Sequence, residues 1–257
     1  MNAFIAVMAS SAGLRTVRRM KKPIAVLTLA AALAGCGSSS SKPSSSAPPS
    51  NPAPAVHFAS VVDNPWFPLK PGTTFRYRGV KDGKPSRDVV TVESGTKTIE
   101  GVPCTVVIDL LYLSGKLEER TTDWYAQDAT GNVWYYGERT AELDANGRVK
   151  STAGSWQSGV NGAQAGIYMP AQPRVGQSGR QEYYKGQAED HYRVKSLAAR
   201  VRTPGASSAR ALLTEEWTPL EPGVLDHKYY VRGIGTVLEQ TVKGGDERNT
   251  LVSVRQG

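Results

Sequence analysis

Residues 122–138 read Thr-Asp-Trp-Tyr-Ala-Gln-Asp-Ala-Thr-Gly-Asn-Val-Trp-Tyr-Tyr-Gly-Glu. Five aromatics fall within these 17 residues, at Trp124, Tyr125, Trp134, Tyr135 and Tyr136. Between the two aromatic segments lies Asp128-Ala129-Thr130-Gly131, a turn-forming run, so the stretch reads as a β-hairpin. With a four-residue loop, Gln127 opposes Asn132, Tyr125 faces Trp134, Asp123 faces Tyr136, and Thr121 faces Glu138. Strand alternation then puts Asp123, Tyr125, Trp134, Tyr136 and Glu138 on one face. Trp124, Ala126, Val133, Tyr135 and Gly137 fall on the other, and suit a core. The first face mixes rings with carboxylates, and burying Asp123 or Glu138 unpaired is costly. It is therefore expected to be reachable by water, on the concave side of a curved sheet. Rings beside a few placed polar groups suit an amphipathic small molecule, a glycan or a lipid headgroup. In the competing arrangement Arg120, Arg139 or a backbone donor satisfies the carboxylates and there is no ligand. A one-residue slip in the turn exchanges the two faces.

Outward from the hairpin, the chain continues as period-2 segments between turn signals. Upstream are Thr73–Arg78, Arg87–Glu93, Thr96–Glu100, Thr105–Leu113 and Lys116–Gln127, with turns at Asp82-Gly83 and Ser114-Gly115. Downstream are Gln181–Lys185, Asp190–Val201, Ala211–Trp217, Leu225–Val231, Thr236–Val242 and Asn249–Val254. Residues 151–180, rich in Gly, Ser, Gln and Pro, read as a long irregular loop, a candidate lid. No stretch sustains a 3.6-residue period. The fold class expected is mostly β: one antiparallel, strongly curved sheet of about ten to twelve strands, as a half-barrel or open barrel. Asp63–Thr73 opens it, with three prolines that exclude helix and central strand. Its Trp66, Phe67 and Leu69 are expected to plug one end of the core.

Charge separates the domain from what precedes it. The whole chain carries +8, but its first 60 residues hold six Lys and Arg and no acid, which leaves +2 on residues 61–257. The basic balance therefore belongs to the leader, and no nucleic-acid partner is expected. Residues 61–257 suit a single domain, which buries roughly 70% of its unfolded surface without staples.

The leader has a basic cluster, Arg18-Arg19-Met20-Lys21-Lys22, then the apolar run Ile24–Ala34 and Leu33-Ala34-Gly35-Cys36. The run is too short to span a bilayer as a helix and suits a secretory signal. Its end resembles the lipobox of bacterial lipoproteins. That resemblance implies diacylation of Cys36, cleavage before it, and an extracytoplasmic position on the cell membrane or envelope. Arg18-Arg19 lacks the flanks of a twin-arginine signal. Met20 by itself begins a complete signal, so translation is expected to start there as readily as at Met1. Residues 36–60 read as the lipidated cysteine and a Ser/Pro-rich tether with too little apolar surface to order.

Further phrases carry a broader resemblance: Trp66-Phe67-Pro68-Leu69 with Pro71-Gly72-Thr73, Asp123–Asp128, Gly131–Glu138, Glu216–Gly223, and Lys228-Tyr229-Tyr230 before Gly233-Ile234-Gly235. Across residues 61–243 they resemble an uncharacterised family of bacterial extracytoplasmic proteins and lipoproteins. More loosely, the opening and closing phrases are similar to half-barrel lipoprotein carriers. The first resemblance implies location and no activity. The second implies a fold, which does not establish function.

Catalytic and metal motifs are missing: there is no H-E-x-x-H, C-x-x-C, P-loop or G-x-S-x-G. Cys104, beside an apolar run, reads as a buried strand residue rather than a nucleophile. Asp128-x-Thr130-x-Asn132 begins like a calcium loop, but Val133 stands where glycine is needed and Arg139 where glutamate is, so a plain turn is expected. No cofactor, metal site or catalytic residue is assigned. Two function classes remain. One is a non-catalytic module, membrane-bound through Cys36, with a small apolar or glycan ligand at Asp123, Tyr125, Trp134, Tyr136 and Glu138. The other is an envelope enzyme of hydrolase type, using His191 or His227 with the nearby carboxylates Glu189 and Asp226.

Overall fold

The computed structural model describes residues 58–59 and 61–257. The signal segment, Cys36 and the tether up to residue 57 lie outside the described residues, whereas Phe58 and Ala59, expected in the tether, pair with Asp128 and Gln127 as a short strand. Every regular element among the described residues is a strand: β1 (Phe58–Ala59), β2 (Thr73–Lys81), β3 (Lys84–Ile99), β4 (Val102–Leu113), β5 (Lys116–Asp128), β6 (Val133–Leu143), β7 (Val149–Ser151) and β8 (Trp156–Gln157). Then come β9 (Gln164–Met169), β10 (Ser178–Arg180), β11 (Glu182–Tyr183), β12 (His191–Arg202), β13 (Ser207–Trp217), β14 (Leu225–Val231), β15 (Gly235–Lys243) and β16 (Arg248–Gln256). Eleven of these strands are six residues or longer.

Two antiparallel meanders, β2 to β6 and β12 to β16, join through the pairing of β16 with β2. Tight turns set the hairpins of the first meander. Asp82-Gly83, Glu100-Gly101 and Ser114-Gly115 each have both central residues at positive φ, the primed geometry whose twist matches the flanking strands. The sheet path runs β10-β12-β13-β14-β15-β16-β2-β3-β4-β5-β6-β9-β11. The expected curved antiparallel sheet is present, and of the two forms expected it takes the open barrel, nearly closed with one seam. At that seam a Cβ on Gly166 of β9 would lie 2.4 Å from Arg180 O, at the end of β10. Only glycine lets the two ends of the sheet approach so closely.

Residues 151–180 are irregular, as expected, but they form wall rather than a lid. β7, β8 and β9 all pair with β6, and β10 pairs with β12. Trp156, Tyr168 and Met169 from this stretch are buried in the main core. The opening segment does plug the core: Trp66, Phe67 and Leu69 are buried, and Phe67 packs against Tyr125 and Tyr168 at centroid distances of 5.2 and 4.5 Å.

Strand alternation gives an inner and an outer wall. On β4, Thr105, Val107, Asp109, Leu111 and Leu113 are buried, and their even-numbered neighbours from Val106 to Tyr112 are only partly so. On β14 the inward set is Asp226, Lys228 and Tyr230. Carboxylates thus occupy core positions in phase with aliphatics and tyrosines.

Candidate functional site

The hairpin of β5 and β6 departs from the expected register. Its loop is one residue longer, so Gln127 pairs with Val133, Ala126 with Trp134 and Tyr125 with Tyr135. Asp128 organises the loop. Its carboxylate accepts from Thr130 N at 2.9 Å, Asn132 N at 3.0 Å, Asn132 Nδ2 at 2.9 Å and Trp134 Nε1 at 2.9 Å. Burial opposes ionisation of Asp128, but these donors outweigh it and hold the carboxyl below its usual range. The oxygens that would serve a calcium loop are committed to the turn.

Past Tyr135 a β-bulge inserts Tyr136, after which Trp124 pairs with Gly137 and Asp123 with Glu138. Gly137 has φ +131, and a Cβ there would meet Trp156 O at 2.3 Å, so glycine is required by both conformation and space. The bulge lets Tyr135 and Glu138, three positions apart, face the same way. The structure therefore brings together Asp123, Tyr125 and Glu138 of the expected set and adds Tyr135. It does not bring Trp134 and Tyr136 with them. Those two lie on the outer wall in a second cluster with Trp124, Ala126, Ile99 and Cys104, where Phe58 meets Tyr136 edge-on at 5.9 Å.

The inner group is buried rather than open to water: Asp123 and Glu138 are each 1% exposed. Tyr125 and Tyr135 stack at 4.8 Å. The Tyr135 hydroxyl donates to Asp123 Oδ1 at 2.6 Å and lies 3.3 Å from Glu138 Oε2. One hydroxyl proton cannot satisfy two carboxylates. Burial first, and its carboxylate neighbours next, raise Glu138 well above the usual range. Asp123 is pushed up to about 7 by burial, which the Tyr135 hydrogen bond partly offsets. Neither Arg120 nor Arg139 reaches inward; both are exposed. Asp123 Oδ2 and Glu138 Oε1 have no hydrogen-bond partner among the described residues.

These two acids belong to a larger set. Eleven of the domain's 23 acids are buried, against two bases, Lys81 and Lys228. Lys228 is fully buried and lies 2.9 Å from Glu216 and 3.4 Å from Glu239. Burial pulls its ammonium pKa down, but the two carboxylates outweigh that and leave it well above the ordinary value. Asp88 accepts a hydrogen bond from Asn249, and burial takes it up to about 7. Asp109 is raised well above the carboxylate range by burial, then by Asp88 and Asp123. The sequence reading assigned Asp109 and Lys228 no role in a site and placed Tyr135 on the core side, apart from Asp123 and Glu138. A signal for Asp109 existed: it interrupts the apolar run of 106–113 at a position in phase with Val107 and Leu111.

The histidines do not assemble a catalytic group with the carboxylates expected. His191 and His227 are on the outer wall, where His191 pairs with Trp217 and His227 with Glu215. His191 Nδ1 meets the Glu189 carbonyl at 2.8 Å, and the Glu189 carboxylate accepts from Gly186 N. Asp226 points inward and accepts from Thr241 Oγ1 at 2.7 Å. His227 Nε2 lies 4.0 Å from Glu215 Oε2. Among the described residues no group of three or more His, Cys, Asp or Glu is arranged to hold a metal. Cys104 is buried as expected, and burial takes its thiol up to about 12, far from a reactive thiolate.

Residues 20–36 match the prokaryotic membrane lipoprotein lipid attachment site. The chain is thus a lipid-anchored lipoprotein of the cell envelope, held at Cys36. No curated protein sequence matches it. Two solved structures resemble it in chain course. One, described as an exported protein with a YmcC-like fold from Bacteroides fragilis NCTC 9343, has 14% identity and a TM-score of 0.44, covering 74% of this chain and 99% of its own. Another, described as a lipoprotein from Parabacteroides distasonis ATCC 8503, has 10% identity and a TM-score of 0.39, covering 74% and 98%.

Proposed function

We propose that this lipoprotein is a non-catalytic carrier or sensor module, which holds a small amphipathic molecule inside its β barrel. One observation carries the reading. Next to the stacked rings of Tyr125 and Tyr135, buried carboxylate oxygens of Asp123 and Glu138 lack a hydrogen-bond partner among the described residues. A buried polar oxygen left unpaired is costly, and ligand sites are where such groups recur, set among apolar and aromatic walls. The inward Asp123, Tyr125 and Glu138 of the sequence reading support the site, with Tyr135 in place of Trp134 and Tyr136.

The lipid anchor fits a module that meets its ligand at the membrane surface. Stable attachment takes at least two acyl chains, which a diacylglyceryl group on Cys36 would supply. Cys36→Ser is expected to move the protein from the membrane to the soluble fraction. Persistence in the membrane after carbonate washing would overturn the anchor assignment. Native mass spectrometry of the mature lipoprotein, extracted from envelopes in mild detergent, tests the ligand reading. A stoichiometric adduct lost in Tyr135→Phe/Asp123→Asn is expected. An adduct-free protein, or one whose adduct survives that substitution, would count against the site.

A further inference from the structure

A small cavity of about 30 Å³ lies in the inner wall beneath the plug segment. Its lining is apolar and aromatic, including Phe67, Leu69, Phe75 and Tyr125, except at three places: Asp109, Asp123 and Thr236. Each of these contributes an orphan oxygen. Asp109 Oδ1, Asp123 Oδ2 and Thr236 Oγ1 are buried with no hydrogen-bond partner among the described residues. The residues come from β4, β5 and β15. Asp109 pairs with Thr121 and Val107 with Asp123, so the two carboxylates are diagonal neighbours across one ladder. Thr236 is anchored separately, since its carbonyl accepts from Tyr77 Oη at 3.0 Å.

Three acceptors around one small volume specify a donor. We infer that this cavity is a subsite for a protonated primary amine, with the R–NH3+ head placed among Asp109, Asp123 and Thr236. This rests on the barrel interior being the ligand site and names the ligand class: a cationic amphiphile, an alkyl- or arylammonium. An ammonium head carries three donors and no acceptor, which matches three orphan acceptors. Its size is close to that of a water molecule, the occupant a cavity of this volume takes. Its charge offsets two acids that no described side-chain cation serves. Lys228 is committed to Glu216 and Glu239, and Lys81 acts on Asp88 and Glu119. The Tyr125 ring in the same lining favours a cation at its face. The cavity holds the head alone, so the hydrocarbon part would enter by displacing the plug residues Phe67 and Leu69 above it. A divalent ion fits less well, because two carboxylates and one hydroxyl fall short of the six or more oxygens that such ions take.

The test uses the mature lipoprotein in detergent micelles at pH 8, with hexylammonium as probe and hexanol and hexanoate as controls. Hexylammonium is expected to raise the unfolding temperature saturably. Hexanol and hexanoate are expected to do so weakly or not at all. Asp109→Asn and Asp123→Asn preserve shape and remove a buried charge, so both fold. Each should weaken hexylammonium binding by roughly tenfold or more, as expected when a charged hydrogen-bond partner is lost. Equal response to hexylammonium and hexanol, unchanged in both variants, would refute amine recognition and leave an amphipathic interior standing. Response to none of the three probes would refute both. A response to hexylammonium that both variants retain would place the amine elsewhere and refute this subsite.

Discussion

The two walls of the barrel use charge in opposite ways. The inner wall and its surroundings bury eleven acids and two bases, which leaves twelve acids and 23 bases partly or fully exposed on a domain whose net charge is only +2. Outside, Arg78 of β2 stands directly opposite Arg87 of β3, and Arg76, Arg248 and Arg255 are exposed close by. Water screens such neighbours at little cost. Inside, Asp88, Asp109 and Asp123 have no such screening, and each is pushed toward its neutral form. The same chemistry is therefore almost without consequence on one side of a strand and decisive on the other. A near-neutral net charge conceals this, because the two excesses cancel.

The sharpest way to break the contrast is to remove Lys228, which lies against two inner carboxylates. Lys228→Met is expected to destabilise the domain by about 3–5 kcal/mol, since it strands Glu216 and Glu239 as buried charges. Adding Glu216→Gln and Glu239→Gln should recover most of that loss, as followed by urea unfolding. If the single variant unfolds like the parent, the buried ion pairs do not hold the inner wall together.

Acidity probes the same wall without mutation. Asp88, Glu119 and Asp123 are each pushed up to about 7, by burial above all. An acid whose folded pKa exceeds its unfolded value of about 4 binds its proton more tightly in the folded state. The stability it contributes is full below pH 4 and is lost as pH rises to about 7. Asp109, Glu138 and Glu239 are raised well above the carboxylate range, burial first, and act in the same direction. The ligand-free protein should therefore melt several degrees lower at pH 8 than at pH 5. A melting temperature that is flat or rises over that range would mean the inner acids ionise freely.

Two smaller changes sharpen the comparison. Gly137→Ala strains the bulge that lets Tyr135 and Glu138 both face inward, and should cost about 1–3 kcal/mol, with a changed near-ultraviolet circular dichroism spectrum from the stacked tyrosines. On the outer wall, Arg78→Glu replaces a like-charge cross-strand pair with an opposite one. It should shift stability by no more than about 0.2–1 kcal/mol, upward. A loss as large as that of the inner variants would erase the distinction between the walls.

The fold was more legible than the site. Alternation and turn chemistry located the long strands, because Asp82-Gly83 and Ser114-Gly115 do adopt the positive φ values those residues favour. The site depended on register, which the sequence expresses less directly. A loop closing at Val133 instead of Asn132, followed by a bulge at Tyr136, moved Trp134 and Tyr136 to the outer wall and Tyr135 to the inner one. The loop length is set by the Asp128 carboxylate gripping Thr130, Asn132 and Trp134, a local network that composition alone does not reveal. The charge of the inner wall was hidden for another reason. Acids at inward phase, such as Asp109 among aliphatics, look like surface residues to any rule that places charge in water.

The pairing of β16 with β2 also sets an order in time. Within β2 to β6 each strand meets the next through a short hairpin, so that meander can form as soon as its own residues are free. The ladder that joins it to the second meander links Tyr77 to Leu251 and Thr73 to Gln256, and must wait for nearly the whole chain. Closure across so long a loop is slow. Until then β2 is an unpaired edge, open to any other strand in a crowded envelope. Arg76 and Arg78 sit on that edge, where charged side chains discourage foreign pairing. In the finished barrel they are ordinary surface residues. During assembly they guard the strand that has longest to wait for its partner.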